Sequence, residues 1–467
     1  MSPRGGRRPG GEPRRGGRLQ RKASCLPTRA ALLAFVSALA GCTVVTIPAE
    51  RPEPVLRPGP VLGPEPAEPR PQEGPAFALD PVRDFPEVRA LWVVRYTLTS
   101  EEAVLEMVER AERAGINTLI VQVRGRADAF YHSDIEPRGE SVREPDPFDP
   151  LALIIREAHA RGMAVHAWVN THLVWGPTAR PRSPDHLVNA NPDWLAVPRE
   201  LGRELFGVDP YDPAFVDRLV EHAAANDHAV EGIYSSPSHP AVQDRVHAVW
   251  LDLARRYDLD GIHFDYIRFP SAEYDYSLGA LERFRLWARS RLEPQRFQAL
   301  DEAYRGDLYA FVEGEGELWG EFRREQITRL VERIYRDVKA LKPRLVVSAA
   351  VIADRELAYG DRFQDWPAWL EEGILDIAVP MAYTPDPSRF RELVQHARDA
   401  TGDDRRLWAG IGAYMNTAEG TMEMIDIARR QGAGGVVLFS YDWAVGEGEG
   451  DPSNPFLQRI GEGRFGR

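Results

Sequence analysis

The chain has 467 residues, enough for one large domain or two ordinary ones, and its 43% of hydrophobic side chains can form a sizeable core. Its formal net charge of −13 is unevenly distributed, because residues 1–41 carry nine basic side chains and one acidic one. The acidic remainder would repel a phosphate backbone, which disfavours nucleic acid as a partner, and the two cysteines exclude a disulfide framework or a cysteine-based zinc site.

The first 80 residues predict a leader and a tether. Residues 1–41 join an arginine-rich start to an apolar run at 31–40, which is shorter than the roughly 20 residues that span a bilayer and is typical of a signal peptide. The segment Leu39-Ala40-Gly41-Cys42 resembles a bacterial lipobox and implies a lipidated Cys42. Ordinary secretion with a chance cysteine is the alternative. Residues 42–80 are proline-rich and predict an extended, disordered tether.

The leader also predicts where the protein resides. A lipid on Cys42 would attach the chain to a membrane of the cell envelope. Thr43 follows the cysteine where an inner-membrane retention signal would have aspartate, so we expect the periplasmic face of the outer membrane.

Strands and helices alternate from residue 88 onwards. Eight strands are predicted, at 89–95, 117–124, 164–169, within 260–270, and at 345–350, 376–381, 407–411 and 435–440. The predicted helices are 100–114, 150–161, 214–225, 242–257, 321–341, 366–372, 388–400 and 418–430, with a loop-rich region at 170–213 and an inserted helical stretch at 278–312. Such alternation indicates a parallel sheet.

Eight such units with insertions suit a (β/α)8 TIM barrel at 85–445, followed by a C-terminal tail at 446–467. The competing arrangement is a doubly wound open sheet, which usually has a glycine-rich phosphate turn after its first strand. This chain has Arg95-Tyr96-Thr97 there, which favours the barrel.

The stretch 260–270, DGIHFDYIRFP, holds the first catalytic candidate. Asp265 lies near the carboxyl end of its apolar strand. A buried carboxylate is unfavourable unless it is paired or functional, and strand ends of this kind usually carry the chemistry of α/β enzymes. Asp265 is therefore predicted to be catalytic, and a structural ion pair with Arg268 is the alternative.

The predicted strand ends share one mouth that is rich in aromatic and hydrogen-bonding side chains. A sugar ring needs an aromatic face for its C–H surface and planar polar groups for its hydroxyls. Any single tryptophan is more typical of a core, so the prediction depends on the clustering. The predicted substrate-binding residues are Trp92, Arg95, Gln122, Arg124, Trp168, Asn170, His172, His263, Arg268, Tyr383, Tyr441 and Trp443.

Hydrolysis of a glycosidic bond needs an acid to protonate the leaving oxygen and a carboxylate to attack or to activate water. Beside Asp265, the first choice for the second group is Asp354, just past the fifth predicted strand, with Glu356 and Asp442 as alternatives. Glu325, on the predicted helix 321–341, is interpreted as a solvated or helix-pairing residue.

A metal centre is the competing interpretation of the histidines. His166, His172 and His263 could surround Asp265, but no HExxH or comparable ligand spacing is present, and a hydrogen-bonding histidine in a sugar site is the simpler interpretation. Serine-based hydrolysis is disfavoured because GxSxG is absent. We expect no metal and no cofactor.

Several motifs carry a family resemblance. They are Arg89-Ala90-Leu91-Trp92, Gln122-Val123-Arg124, His166-Ala167-Trp168-Val169-Asn170, the 260–270 stretch, Pro380-Met381-Ala382-Tyr383 and Phe439-Ser440-Tyr441. Together they resemble the glycosyl-hydrolase-10-like family over residues 88–443. The resemblance implies a (β/α)8 lipoprotein and glycoside hydrolysis in the cell envelope, in at least one branch on peptidoglycan strands stripped of their peptides.

The resemblance also assigns residues. It places Asp265 at the acidic strand-end position. Many members have a second acid directly after it, where this chain has Tyr266. Many also have Trp-Arg-x-x-Asn before the fifth strand, where this chain reads Phe322-Arg323-Arg324-Glu325-Gln326.

The predicted function is therefore that of an envelope-tethered, monomeric glycoside hydrolase, retaining or inverting, that acts on a polysaccharide with Asp265 as nucleophile or base. A non-catalytic glycan-binding lipoprotein and a metal-dependent deacetylase are the alternatives.

Overall fold

The computed structural model describes residues 85–143, 145, 147–176, 180–402, 406–447 and 455–466. The predicted signal peptide, Cys42 and the proline-rich tether lie outside the described residues. Among the helices described here, none is both long enough and apolar enough to cross a membrane.

Ten strands are formed by the described residues. They are β1 (Val88–Val93), β2 (Thr118–Arg124), β3 (Ala164–Asn170), β4 (Leu173–Trp175), β5 (Ile233–Tyr234), β6 (Gly261–Asp265), β7 (Val346–Ile352), β8 (Ile377–Met381), β9 (Trp408–Gly412) and β10 (Gly435–Phe439). Eight of them close into a parallel barrel in the order β1-β2-β3-β6-β7-β8-β9-β10, and β10 pairs with β1. The predicted (β/α)8 barrel is confirmed, and closure excludes an open doubly wound sheet.

Helices follow the barrel strands around the outside, as predicted. They are α1 (Glu101–Arg113), α2 (Pro150–His159), α3 (Leu187–Ala190), α4 (Arg199–Leu205), α5 (Pro213–Ala225), α6 (Pro240–Arg256), α7 (Leu278–Arg291), α8 (Pro294–Tyr304), α9 (Leu308–Gly314), α10 (Gly316–Leu341), α11 (Arg355–Gly360), α12 (Trp366–Glu371), α13 (Pro387–Thr401), α14 (Ala418–Arg430) and α15 (Phe456–Ile460). The predicted helical insertion at 278–312 consists of α7, α8 and the start of α9.

The side chains of each barrel strand point alternately inward and outward, so the core has two parts. In β1, Ala90 and Trp92 belong to a cluster inside the barrel, whereas Leu91 and Val93 belong to the large cluster between the strands and the helices. Successive side chains of a strand point to opposite faces, which explains the division. The interior cluster includes Trp92 and Trp168, so two of the predicted sugar-binding rings are also core residues.

A two-stranded antiparallel sheet was not predicted. β4 follows β3 directly, and β5 pairs with it through Leu173 with Tyr234 and Trp175 with Ile233. These strands are too short and too irregular to give a periodic signal in the sequence. Their pairing joins the segment that precedes α6 to the carboxyl end of β3, where the barrel opens.

Candidate active site

A cavity of about 270 Å³ opens at the carboxyl ends of the barrel strands. It brings together eight of the residues predicted from the sequence: Trp92, Arg95, Gln122, Trp168, Asn170, Asp265, Arg268 and Tyr383. Residues that were not among the predicted site residues complete the lining: Val94, Tyr96, Arg126, Leu173, Glu231, Tyr266, Ala350, Met381 and Phe439. The cavity therefore combines aromatic rings, amides, carboxylates and guanidinium groups.

Asp265 is the last residue of β6 and is buried. Its Oδ1 accepts hydrogen bonds from the backbone amide of Tyr266 at 2.7 Å and from Nη1 of Arg268 at 3.3 Å. Tyr266 has a φ of 48°, so the chain leaves the strand through the left-handed region. Burial raises the pKa of Asp265, and the positive charge of Arg268 only partly opposes this shift.

Glu231 is the second carboxylate of the cavity. Its Oε1 lies 3.8 Å from Nη2 of Arg268, and its Oε2 accepts a hydrogen bond from the hydroxyl of Tyr234 at 2.7 Å. Arg268 therefore contacts both Asp265 and Glu231. The negative charge of Glu231 further raises the pKa of Asp265, whereas the Glu231 side chain is itself about half exposed.

Two further arginines, Arg95 and Arg126, add positive charge to the cavity lining. Nη1 of Arg95 donates to Oε1 of Gln122 at 3.0 Å, and its guanidinium lies 4.6 Å from the ring centre of Tyr96. Arg126 follows β2 in the chain and is partly buried. Burial and the charge of Arg95 both lower the pKa of Arg126.

Aromatic rings form the floor of the cavity. The ring of Trp92 lies 6.4 Å from Tyr383 and 5.8 Å from Phe439, both edge to face. Nε1 of Trp168 donates to Oδ1 of Asn170 at 2.9 Å, which fixes the amide beside the rings. This arrangement of flat apolar surfaces and planar amides is suited to a sugar.

A family comparison agrees with this geometry. The model of the family described as Glycosyl hydrolase-like 10 matches residues 87–409. The chain belongs to this family. The resemblance stated from the sequence motifs is confirmed, and membership makes the protein a glycoside hydrolase.

Two relatives extend the comparison. Glycosyl hydrolase DigH of Escherichia coli (strain K12) is 26% identical over 356 residues, which cover 71% of this chain and 70% of that protein. Glycosyl hydrolase YngK of Bacillus subtilis (strain 168) is 25% identical over 323 residues, which cover 64% of this chain and 51% of that protein.

Solved structures share the fold of this family member. The PgaB (BpsB) glycoside hydrolase domain from Bordetella bronchiseptica has a TM-score of 0.54 at 14% identity and covers 78% of this chain and 97% of its own. A beta-galactosidase from Bacillus circulans sp. alkalophilus has a TM-score of 0.55 at 15% identity, covering 81% and 56%. At these identities the likeness establishes the barrel alone.

The remaining predicted binding residues do not line the cavity. Arg124 is buried, with Nη2 at 2.9 Å from Glu136, and it also donates to the carbonyl oxygen of Asn170. Tyr441 is buried in the cluster between strands and helices. The ring of Trp443 packs edge-on against Phe456 at 5.1 Å. These contacts are structural.

None of the three histidines considered from the sequence lines the cavity. His263 accepts a hydrogen bond from Nε1 of Trp92 at 3.2 Å and contacts Ser348 at 2.9 Å through Nδ1, so it orients Trp92. His172 contacts Ser235 at 3.3 Å. His166 is buried inside the barrel, and burial lowers the pKa of both His166 and His172 to about 3. Across the described ranges, no three His, Cys, Asp or Glu side chains converge as a metal site.

The other carboxylates considered from the sequence do not line the Asp265 cavity. Asp354 caps α11 and lies 3.3 Å from Nη2 of Arg389, and together with Glu356 it lines a separate surface cavity of about 670 Å³. Asp442 accepts hydrogen bonds from the backbone amide of Val94 at 2.7 Å and from Thr97 at 2.6 Å.

Glu325 has the helix-pairing contacts that the sequence analysis expected. Its Oε2 accepts hydrogen bonds from Nε1 of Trp287 at 3.1 Å and from Arg291 at 2.6 Å. Its Oε1 lies 2.5 Å from Nη2 of Arg329, one helical turn away.

Proposed function

We propose that this glycoside hydrolase cleaves an O-glycosidic bond within an envelope polysaccharide, with Asp265 and Glu231 as its two carboxylates. The observation that carries the proposal is the position of Arg268, whose guanidinium contacts both acids in one ring-lined cavity. The family resemblance supports peptidoglycan strands stripped of their peptides as the substrate.

Asp265 is suited to the role of general acid. A carboxyl group that protonates a leaving oxygen must keep its proton near the working pH, and burial raises the pKa of Asp265 in that direction. Arg268 limits the shift, so the group can still release its proton. In the reaction, Asp265 gives its proton to the glycosidic oxygen as the bond to the anomeric carbon breaks.

Glu231 is suited to act as the nucleophile or as the base that activates water. Its half-exposed carboxylate can reach either the anomeric carbon or a water molecule beside it. Because Asp265 and Glu231 meet the same guanidinium, their separation is compatible with both the roughly 5–5.5 Å of retaining enzymes and the roughly 6.5–9.5 Å of inverting ones. Arg268 holds the two negative groups together by compensating their charge.

The surrounding side chains would position the sugar. The rings of Trp92 and Tyr383 offer flat apolar surfaces, and the amides of Gln122 and Asn170 offer hydrogen bonds to hydroxyl groups. Asn170 is itself held by the carbonyl oxygen of Gly125 at 2.8 Å, so its amide is oriented before a substrate binds.

The proposal is tested by incubating the detergent-solubilised full chain with peptide-free peptidoglycan strands, chitin oligosaccharides and hyaluronan. We expect new reducing ends from at least one of them, and none from the Asp265→Asn variant. Equal release by parent and variant would contradict the assignment of Asp265. Binding without release by either protein would favour the glycan-binding lipoprotein instead.

We propose, from the leader sequence, that Cys42 carries a lipid that holds the hydrolase at the periplasmic face of the outer membrane. The lipobox-like segment before Cys42 and the proline-rich stretch after it support this location. Labelling cells with a radioactive fatty acid should mark the parent but not the Cys42→Ser variant. Light scattering of the detergent-free variant should give the mass of a monomer.

A further inference from the structure

The charges that line the cavity leave two arginines without a counter-ion. Both cavity carboxylates, Asp265 and Glu231, contact Arg268. Arg95 donates instead to the neutral groups of Gln122 at 3.0 Å and Tyr96 at 3.1 Å. In the part of the chain that the structure describes, neither Arg95 nor Arg126 forms an ion pair.

Arg126 has fewer side-chain partners than Arg95. Its guanidinium donates no hydrogen bond to any described residue. The nearest acid along the chain, Asp128, accepts a hydrogen bond from the backbone amide of Arg126 at 2.7 Å, and its charge attracts the guanidinium without an ion pair. A partly buried cation without a partner is unfavourable, and burial and Arg95 accordingly lower the pKa of Arg126.

Two glycines make room for these arginines. A Cβ atom on Gly176 would lie 1.7 Å from Nη1 of Arg126, and a Cβ atom on Gly125 would lie 2.4 Å from Cδ of Arg95. Any larger residue at either position would displace the neighbouring arginine. The two glycines therefore leave the space that these arginine side chains occupy at the wall of the cavity.

We infer that Arg126, assisted by Arg95, binds a carboxylate carried by the sugar chain beside the bond that is cleaved. The planar guanidinium group matches the two oxygens of a carboxylate, and such charge-assisted pairs are stronger than neutral hydrogen bonds. The carboxylate can belong to a uronic acid ring or to an acidic ether arm on an amino sugar. A neutral glycan would leave both arginines unpaired. This inference rests on the proposed function, which places the cleaved bond in the same cavity.

The experiment compares glycans that differ only in the acid. The probes are peptide-free peptidoglycan strands, which carry an acidic ether arm, and hyaluronan, which carries a uronate, each beside its own carboxyl-reduced form. Affinities are measured by calorimetry in the full chain with Asp265→Asn, so that no turnover occurs, and initial rates are measured in the parent. Arg126→Met is the test variant. Arg329→Met, which removes an exposed arginine paired with Glu325, is the control.

We expect at least one acidic glycan to bind about tenfold or more tightly than its reduced form. Arg126→Met should remove most of that preference by weakening the acidic form alone, Arg329→Met should leave it unchanged, and Arg126→Lys should keep part of it. The glycan that shows the preference identifies the source of the carboxylate.

Two results would overturn the inference: no preference for either acidic glycan, or an equal loss of affinity for both forms in Arg126→Met. Should Arg126→Met fail to fold, the preference of the unaltered site and the Arg126→Lys variant still decide the question. A preference in binding without any cleavage would support the carboxylate site and contradict hydrolysis. Cleavage without a preference for the acidic form would support hydrolysis and contradict the carboxylate site.

Discussion

Two aspartate–arginine ion pairs near the carboxyl ends of the barrel strands have the same N–O distance but differ in solvent exposure. Asp265 and Arg268 are 3.3 Å apart, with 9% and 6% of their side chains exposed. Asp354 and Arg389 are also 3.3 Å apart, with 44% and 42% exposed. Distance alone therefore does not distinguish them, whereas burial does.

Burial changes what each pair can do. Removing water raises the pKa of Asp265 and strengthens its attraction to Arg268, so the buried pair can both hold a proton and stabilise charge. The exposed pair is screened by water and contributes little. Its aspartate also caps a helix by accepting from the backbone amide of Leu357 at 3.1 Å. The comparison teaches that burial, and not position after a strand alone, separates the proposed catalytic acid from an acid that caps a helix.

The largest expected contrast is in the rate of hydrolysis. Asp265→Asn should lower kcat by at least about 100-fold, because the general acid is lost. Asp354→Asn should change it by less than about twofold, because an exposed ion pair is weak. Release of reducing ends from one substrate by both variants measures the contrast. Similar losses in the two variants would mean that burial does not separate the pairs.

The second contrast is in stability. Arg268→Met should lower the free energy of unfolding by about 3 kcal/mol, because it leaves a buried acid without its cation. Arg389→Met, the matched change at the surface, should produce no measurable difference. Urea denaturation followed by circular dichroism gives both values. Equal stability of the two variants would contradict the importance assigned to the buried pair.

The smallest expected effect is on the pH profile. A general acid acts while protonated, so the rate falls as the pH rises through its pKa. Arg268 lowers the pKa of Asp265, so Arg268→Gln should raise this pKa and move the alkaline limb to higher pH. Profiles of kcat/KM for parent and variant test the sign. A limb that moves to lower pH would mean that another group controls it.

Much of the fold was predictable because its signals are local. Alternating strands and amphipathic helices predicted the eight barrel strands to within a few residues. The place of Asp265 in the cavity was predictable because a charged residue at the end of an apolar strand has few structural uses. The local pattern could not identify its partner.

Glu231 could not be found in this way because a long-range pairing places it. Glu231 lies in the irregular connection between α5 and β5, and its position depends on β4 and β5, which are three and two residues long. Arg124, in contrast, was predicted to bind substrate but does not line the cavity. The register between β2 and β3 shifts between Gln122 and Arg124, and beyond the shift Arg124 pairs with Glu136 instead of lining the cavity.

The pairing of Asp265 with Glu231 is tested most directly by the rate of Glu231→Gln on a glycan that the parent cleaves, with Asp354→Asn measured beside it. We predict that Glu231→Gln loses at least about 100-fold in kcat while its affinity for the glycan changes little, and that Asp354→Asn stays close to the parent. Full activity of Glu231→Gln, or a severe loss in Asp354→Asn alone, would contradict the account.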